Sequence, residues 1–175
     1  IGIVTGVQGM RWYEVTVTGQ DAHTGATPMH LRKNALLGAA RMIEAVHRIA
    51  MDHAPLAVGT VGLIENKPNS RNVVPGEVFF TVDFRHPEEG ALDIMEAEFR
   101  AALREVLIPL QLEFAEKRIW ESPAVKFDPD LIVPDTSVTI GDGALVPWSV
   151  GNGGFYDSIV QAICDRYEID PDTPW

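Results

Sequence analysis

The stretch EVFFTVDFR, residues 77–85, decides the fold class of this chain. Val78, Phe80, Val82 and Phe84 alternate with mostly polar neighbours, and a period of two predicts a strand that is buried on one face. Shorter alternating runs predict three more strands, over residues 12–18, 57–64 and 110–116.

Two helices are predicted between these strands, because apolar residues recur there every three to four positions. The first helix has its stripe over residues 35–49 and is expected to start at Thr27 or around Pro28, and the second has its stripe over residues 92–106. This order predicts an α+β fold, a ferredoxin-like βαββαβ sandwich in which two helices cover one face of a four-stranded antiparallel sheet. Right-handed crossovers place the third strand between the first and the second.

The composition excludes several classes of protein. The 175 residues include 25 acidic and 14 basic side chains, a formal net charge of −11. Phosphate backbones are bound mainly by clustered Lys and Arg, so this charge argues against general nucleic-acid binding. Cys164 is the single cysteine, which excludes an internal disulfide and suits a reducing, cytoplasmic location. No run of about 18 apolar residues is present, so no membrane span is predicted.

Negative charge is concentrated at the end of the chain. Residues 128–175 hold nine acids and one base, with five of the 12 prolines and five of the 15 glycines. This shift predicts a domain over residues 1–127 and a short, mostly irregular C-terminal appendage. One helix is predicted in the appendage, over residues 155–167, with Cys164 buried. Trp148 is a large side chain that should be buried, which predicts that the appendage packs on the sandwich. A start without Met suggests an excised piece of a longer protein.

Three stretches could carry chemistry. In GQDAHTGATPM (residues 19–29), His23 stands between small residues and can approach a ligand, although spacing alone favours an ordinary surface loop. NSRNVVPG (residues 69–76) is either a long hairpin loop of turn-forming residues or a binding loop. In DFRHP (residues 83–87) the arginine at an exposed strand end is usually solvated or paired, whereas a buried one would suit bidentate binding of a carboxylate. No set of His and carboxylates has ligand spacing, so no metal site is predicted in this chain.

Together with GVQG (residues 6–9) and NVVPGE (residues 72–77), the stretches over residues 19–29 and 83–87 resemble a group of metal-dependent amidohydrolases. The group contains N-carbamoyl-L-amino-acid hydrolases, allantoate amidohydrolases and β-alanine synthases, and belongs to the aminoacylase and carboxypeptidase superfamily. In it, this segment is a lid and dimerisation domain with a ferredoxin-like fold. The resemblance implies a homodimer, a small carboxylate substrate, and zinc or manganese in a catalytic domain outside this chain.

The resemblance also implies roles for single residues. His23 matches the lid histidine that stabilises the tetrahedral intermediate, while Asn72 and Arg85 match the residues that hold the substrate carboxylate. In the predicted topology His23 and Asn72 share one end of the sheet, and Arg85 lies at the other, about 25 Å away at roughly 3.3 Å per residue. One substrate of amino-acid size cannot easily bridge that span. We therefore expect one lid to serve two active sites of a dimer.

The appendage resembles a different family. FDPDLIVPD (residues 127–135), GALVPW (residues 143–148) and YEIDPDTPW (residues 167–175) are similar to an internal stretch of the DNA-binding ATPase component of the excision-repair nuclease. The stretch contains none of that family's ATP-binding loops or zinc cysteines.

Two interpretations of the whole chain stay open. The chain is the lid and dimerisation module of an amidohydrolase for N-carbamoyl or ureido amino acids, not catalytic alone, or it is a non-catalytic, chimeric scaffold made of joined fragments.

Overall fold

The computed structural model describes residues 4–127, 161–162, 164–166, 168 and 170. The chain divides into two compact units, Gln8–Val125 and a second unit made of Ile1–Val7 with Lys126–Trp175. The elements follow in this order: β1 (Gly6–Val7), β2 (Gly9–Thr18), β3 (Ala22–His23), a 3₁₀ turn (Met29–Leu31), α1 (Ala35–Asp52), β4 (Val58–Thr60), β5 (Ile64–Lys67), β6 (Val73–Val74), β7 (Glu77–His86), α2 (Glu89–Leu107), a second 3₁₀ turn (Ile108–Leu110), β8 (Glu113–Ser122) and β9 (Val125–Lys126).

An antiparallel sheet of five strands organises the larger unit. β7 pairs with β2 along all ten residues, β2 pairs with β8, and β4 and β5 both pair with the other edge of β7. β7 therefore lies between β2 and the two short strands, which is the place predicted for the third strand. Helices and an antiparallel sheet in one unit confirm the α+β class.

The core lies between the sheet and the two helices. Burial alternates along β7, where Val78, Phe80, Val82 and Phe84 are buried and their neighbours are half-buried. The buried residues of β2 and β7 join those of α1 and α2 in a single apolar cluster. The period-two prediction is thus confirmed for β7, because each inward side chain packs under a helix and each outward one does not.

The first helix starts later than predicted. α1 begins at Ala35, so the predicted start at Thr27 or Pro28 is wrong. Pro28 has an extended backbone, with φ −57° and ψ 147°, and leads into the first 3₁₀ turn. The Asn34 side chain accepts a hydrogen bond from the Leu37 N–H at 3.2 Å and caps α1. Asparagine is among the preferred residues at this position, because its side-chain oxygen satisfies an N–H that the first turn leaves free.

Two strands also differ from their predicted extents. The predicted strand over residues 57–64 is divided into β4 and β5, with residues 61–63 outside both strands. The predicted strand over residues 110–116 begins instead at Glu113 and continues to Ser122. The chain runs past Leu107 into the second 3₁₀ turn, and Gln111 then adopts a left-handed backbone with φ 56°. This turn redirects the chain before β8 can start.

Charged side chains meet between α2 and strands β2 and β8, where Arg11 and Glu96 are buried and Arg100 and Arg118 reach them from the surface. We call them the Glu96 cluster, and its members are Arg11, Tyr13, Glu96, Arg100 and Arg118. The Glu96 carboxylate accepts hydrogen bonds from the Tyr13 hydroxyl and from Arg11 Nη1, each at 2.9 Å. Arg100 and Arg118 each place Nη1 within 3.0 Å of the same carboxylate. Burial alone would raise the pKa of Glu96, but the hydroxyl and the three guanidinium groups outweigh it and hold that pKa below its ordinary value.

In the smaller unit, residues 161–162 and 164–166 are helical, as expected for the predicted helix. Cys164 is buried, which confirms that prediction. The rest of the helix predicted over residues 155–167, and the predicted packing of Trp148, lie outside the described residues. Among the described residues, no helix combines the length and the apolar character needed to cross a membrane.

Candidate functional site

His23 ends β3, where a short ladder joins it to the loop before β7. β3 pairs antiparallel with β6, and His23 lies opposite Val73. The backbone N–H and the hydroxyl of Thr24 both donate to the Asn72 carbonyl at 3.1 Å. The structure thus places His23 and Asn72 side by side at one end of the sheet, and both side chains are exposed.

The His23 ring is held through one nitrogen. Its Nδ1 accepts hydrogen bonds from the Gly25 N–H at 3.0 Å and from the Ala26 N–H at 3.2 Å. A nitrogen that accepts carries no proton, so in the neutral ring the proton is on Nε2. Nε2–H is consequently the donor that His23 can offer to a ligand.

The Asn72 side chain is oriented in a comparable way. Its Oδ1 accepts a hydrogen bond from the Ser70 hydroxyl at 2.8 Å. A carboxamide whose oxygen is occupied presents its NH₂ group, and an NH₂ group can only donate. Asn72 and His23 therefore both offer donors at this end of the sheet, which suits an anionic or carbonyl oxygen.

Glycines bring the backbone of this region into close contact. A Cβ on Gly19 would lie 2.1 Å from the Lys33 carbonyl oxygen, and one on Gly76 would lie 2.6 Å from Asp21 Oδ1. Real Cβ atoms do not approach so closely, so both positions need glycine. The Gly19 N–H donates to the Gly76 carbonyl at 2.7 Å, and the Gly76 N–H donates to Asp21 Oδ1 at 2.7 Å. These contacts fasten residues 19–29, which we call the His23 loop, to the start of β7.

Arg85 lies near the opposite end of β7, on the face that no helix covers. In the flanking strands its register partners are Met10 and Val58. Its Nε and Nη2 donate to the Asp83 carboxylate, at 2.7 Å for the shortest contact. These hydrogen bonds raise the pKa of Arg85 above its ordinary value. Asp83 occupies one edge of the guanidinium, and Nη1 is the donor that could bind a substrate carboxylate.

The predicted site residues therefore form two groups. Arg85 lies eight residues after Glu77, which is beside the His23 end, a distance of about 27 Å along β7 at roughly 3.4 Å per residue. A polar pocket of about 310 Å³ lies at the His23 end and is lined by Gln20, Asp21, Ala22, Thr27, Leu31 and Lys33. A mostly apolar pocket of about 310 Å³ lies on the open face of the sheet and includes Asp83.

A metal site does not form in the part of the chain that the structure describes. No three His, Cys, Asp or Glu side chains there come together in an arrangement that could hold an ion. His53, at the end of α1, places Nε2 2.9 Å from a Glu98 carboxylate oxygen on α2, and this contact joins the two helices.

Comparison with known proteins identifies the larger unit. The peptidase dimerisation domain family matches residues 5–110, which is more than half of the chain. The chain belongs to the peptidase dimerisation domain family. A second family, the UvrA DNA-binding domain, matches residues 128–175.

Two relatives of this dimerisation domain are amidohydrolases by name. The N-carbamoyl-L-amino-acid amidohydrolase of Rhizobium meliloti is 46% identical over 132 residues, which are 75% of this chain and 32% of that protein. The allantoate amidohydrolase of Escherichia coli is 34% identical over 118 residues, 65% of this chain and 28% of that protein.

Solved structures that resemble this chain include an enzyme of the same kind. The crystal structure of an amidase of the hydantoinase/carbamoylase family from Burkholderia multivorans matches with a TM-score of 0.72 and 52% identity, covering 73% of this chain and 31% of that one. The dimerisation domain thus spans about a third of the length of the curated relatives it matches.

Sequence reasoning missed the residues that orient these three candidate side chains. Arg32 donates to the Thr27 carbonyl at 2.9 Å and to the Thr24 carbonyl, inside the His23 loop. Ser70 and Asp83 hold Asn72 and Arg85. Ser70 and Asp83 each stand two residues before the side chain they hold, and that spacing was the available signal. No such spacing marks Arg32, because it lies nine residues after His23 and a loop returns it to the turn that carries His23.

Proposed function

We propose that this chain is the lid and dimerisation module of a metal-dependent amidohydrolase that acts on N-carbamoyl or ureido amino acids. The observation that carries the proposal is the donor character of three side chains. His23, Asn72 and Arg85 each have one side occupied by a contact within the chain, and each retains a donor for a ligand. Three such donors suit a substrate that carries a carboxylate and develops an oxyanion.

Each donor has a chemical role in this proposal. His23 would donate from Nε2 to the oxygen that becomes negative when water adds to the carbamoyl or amide carbon. Asn72 would donate from its NH₂ group, and Arg85 from Nη1, to the substrate carboxylate. None of these groups activates water, so the module binds and stabilises but does not hydrolyse alone.

The separation of the donors leads us to propose a division between two active sites. The span of about 27 Å along β7 is too long for one substrate of amino-acid size. In a homodimer, Arg85 would serve the site of its own protomer, while His23 and Asn72 would reach the site of the partner. Dimerisation would then be required for catalysis.

Further parts of the proposal concern the whole protein. We propose that residues 1–127 form the lid domain, with a ferredoxin-like topology, and that residues 128–175 form a separate appendage. The metal, zinc or manganese, would be held in a catalytic domain outside this chain. A cytoplasmic location would suit the single, buried cysteine.

Grafting tests the proposal. Residues 5–127 would replace the matching segment of the Rhizobium meliloti N-carbamoyl-L-amino-acid amidohydrolase, and hydrolysis of an N-carbamoyl-L-amino acid would be measured. We expect activity, a loss in kcat of about 10²–10³-fold for His23→Ala, and a higher KM for Arg85→Ala. Arg104→Ala, which removes an exposed arginine on α2 that donates to the Arg100 carbonyl, is the matched control. A folded, dimeric graft in which His23→Ala changes nothing would refute the role of His23.

Mixing of protomers tests the division between sites. In a heterodimer of an Arg85→Ala chain and a His23→Ala chain, both defects fall on one site and the other site is intact. Random pairing makes half of the dimers mixed, each with one working site of two, so about a quarter of the unmutated activity should return. If mixing gives no more activity than the two mutant homodimers, all three donors serve one site and the division is wrong.

A further inference from the structure

Arg32 spans the turn that carries His23. The side chain follows the first 3₁₀ turn and is partly buried. Its Nε donates to the Thr27 carbonyl at 2.9 Å, and its Nη2 donates to the Thr24 carbonyl. The Thr27 N–H in turn donates to the His23 carbonyl at 3.1 Å. One guanidinium edge thus bridges both ends of a single turn.

One of these carbonyls is directly coupled to the histidine ring. The Thr24 carbonyl and the Gly25 N–H belong to the same peptide unit, and a peptide unit is planar. Fixing the carbonyl on one side of the plane fixes the N–H on the other side. That N–H donates to His23 Nδ1 at 3.0 Å and is the shorter of the two bonds that keep the proton off Nδ1, the other coming from the Ala26 N–H at 3.2 Å, so the guanidinium orients one of these two bonds.

We infer that Arg32 is a positioning residue, which selects the Nε2–H form of His23 by fixing the Thr24–Gly25 peptide. The use of that Nε2–H in catalysis rests on the proposed function, but the selection itself needs no substrate. Removing the guanidinium leaves the peptide free to rotate, and the Gly25 N–H then no longer points consistently at Nδ1. Glycine in the turn makes that rotation easy.

The geometry also explains why arginine rather than lysine stands here. Nε and Nη2 lie on one edge of a planar group and donate in parallel to two acceptors. A lysine ammonium is a single point on a flexible stem and cannot hold both carbonyls in the same arrangement. Arg32→Lys should therefore keep the positive charge but only part of the constraint on the peptide.

The test is nitrogen NMR of the histidine rings in the 175-residue chain, at a pH of about 8 where ordinary histidines are neutral. Chemical shifts of Nδ1 and Nε2 report which nitrogen is protonated, and His23→Gln identifies the His23 signals. Arg32→Ala should lower the ratio of Nε2–H to Nδ1–H in His23 about fivefold, which corresponds to the loss of about one net hydrogen bond. Arg32→Lys should give an intermediate ratio.

Two controls separate this effect from a general loosening. His86 Nδ1 accepts from the Glu88 N–H at 3.0 Å, which is the same kind of contact elsewhere, and its ratio should not change. Arg104→Ala, which removes another arginine that donates to a carbonyl, should leave His23 unchanged. If Arg32→Ala does not fold, Arg32→Lys decides. An unchanged His23 ratio in the folded variant, or an equal change at His86, would overturn the inference, and neither outcome bears on whether a grafted enzyme hydrolyses its substrate.

Discussion

Replacing Tyr13 by phenylalanine removes a single hydroxyl from the Glu96 cluster. Tyr13 is fully buried in β2, and its hydroxyl donates to the Glu96 carboxylate at 2.9 Å. Its ring lies 5.3 Å from the Phe99 ring and 6.3 Å from the Phe84 ring, centroid to centroid. Phenylalanine keeps the shape of the ring, so these aromatic contacts stay and the hydrogen bond alone is lost.

The expected cost follows from the charge on the acceptor. A hydrogen bond to a charged group contributes about 1.5–3 kcal/mol to the free energy of unfolding. For a unit of roughly 120 residues, the entropy of unfolding is about 0.25 kcal/mol/K, so Tm should fall by about 6–12 °C. The lower part of the range is favoured, because three guanidinium groups still contact Glu96 in the variant.

Urea unfolding followed by fluorescence measures this cost, with the slope m checked for constancy. Glu96→Gln and the double variant complete a mutant cycle, in which Tyr13→Phe should cost much less once the carboxylate is absent. Thr18→Val, at an exposed site at the end of the same strand, controls for loss of a hydroxyl from β2. A loss below about 0.5 kcal/mol, or an equal loss with and without Glu96, would refute the assigned hydrogen bond.

Three further outcomes follow from the structure. The pKa of Glu96 lies below its ordinary value of 4.5. The stability that the Glu96 carboxylate contributes is therefore present above pH 4.5 and is lost as the pH falls through the pKa of the folded state. Urea midpoints measured across this range should decline less in Glu96→Gln than in the unmutated chain. Gly19→Ala forces a Cβ against the Lys33 carbonyl and should cost about 1–3 kcal/mol in urea unfolding, whereas Gly90→Ala, with nothing within 4 Å of its Cβ, should cost little. Equilibrium dialysis and a hydrolysis assay of the chain alone should show no stoichiometric zinc and no cleavage of an N-carbamoyl amino acid. Stoichiometric zinc or measurable cleavage would contradict the proposed function.

The places of the three candidate side chains in the fold were predictable from the sequence. His23, Asn72 and Arg85 stand in short, distinctive stretches, and the order of strands places the first two at one end of the sheet and the third at the other. The residues that orient them were not predictable in the same way. Arg32 acts through two backbone carbonyls, and a contact to a carbonyl leaves no trace in the identity of the residue it touches.

The sequence by itself determined the class of fold and the order of its elements, because apolar periods of two and of about 3.6 residues are local properties. The alternation over residues 77–85 was enough to define β7 and its buried face. Only the tertiary structure decided where elements start and which donors remain for a ligand. Asn34 rather than Pro28 starts α1, Glu96 collects guanidinium groups from residues as far as 85 positions away, and two backbone N–H groups choose the tautomer of His23. Each of these depends on which hydrogen-bond partners lie within reach of a given group. That is decided only when the sheet and the helices have packed.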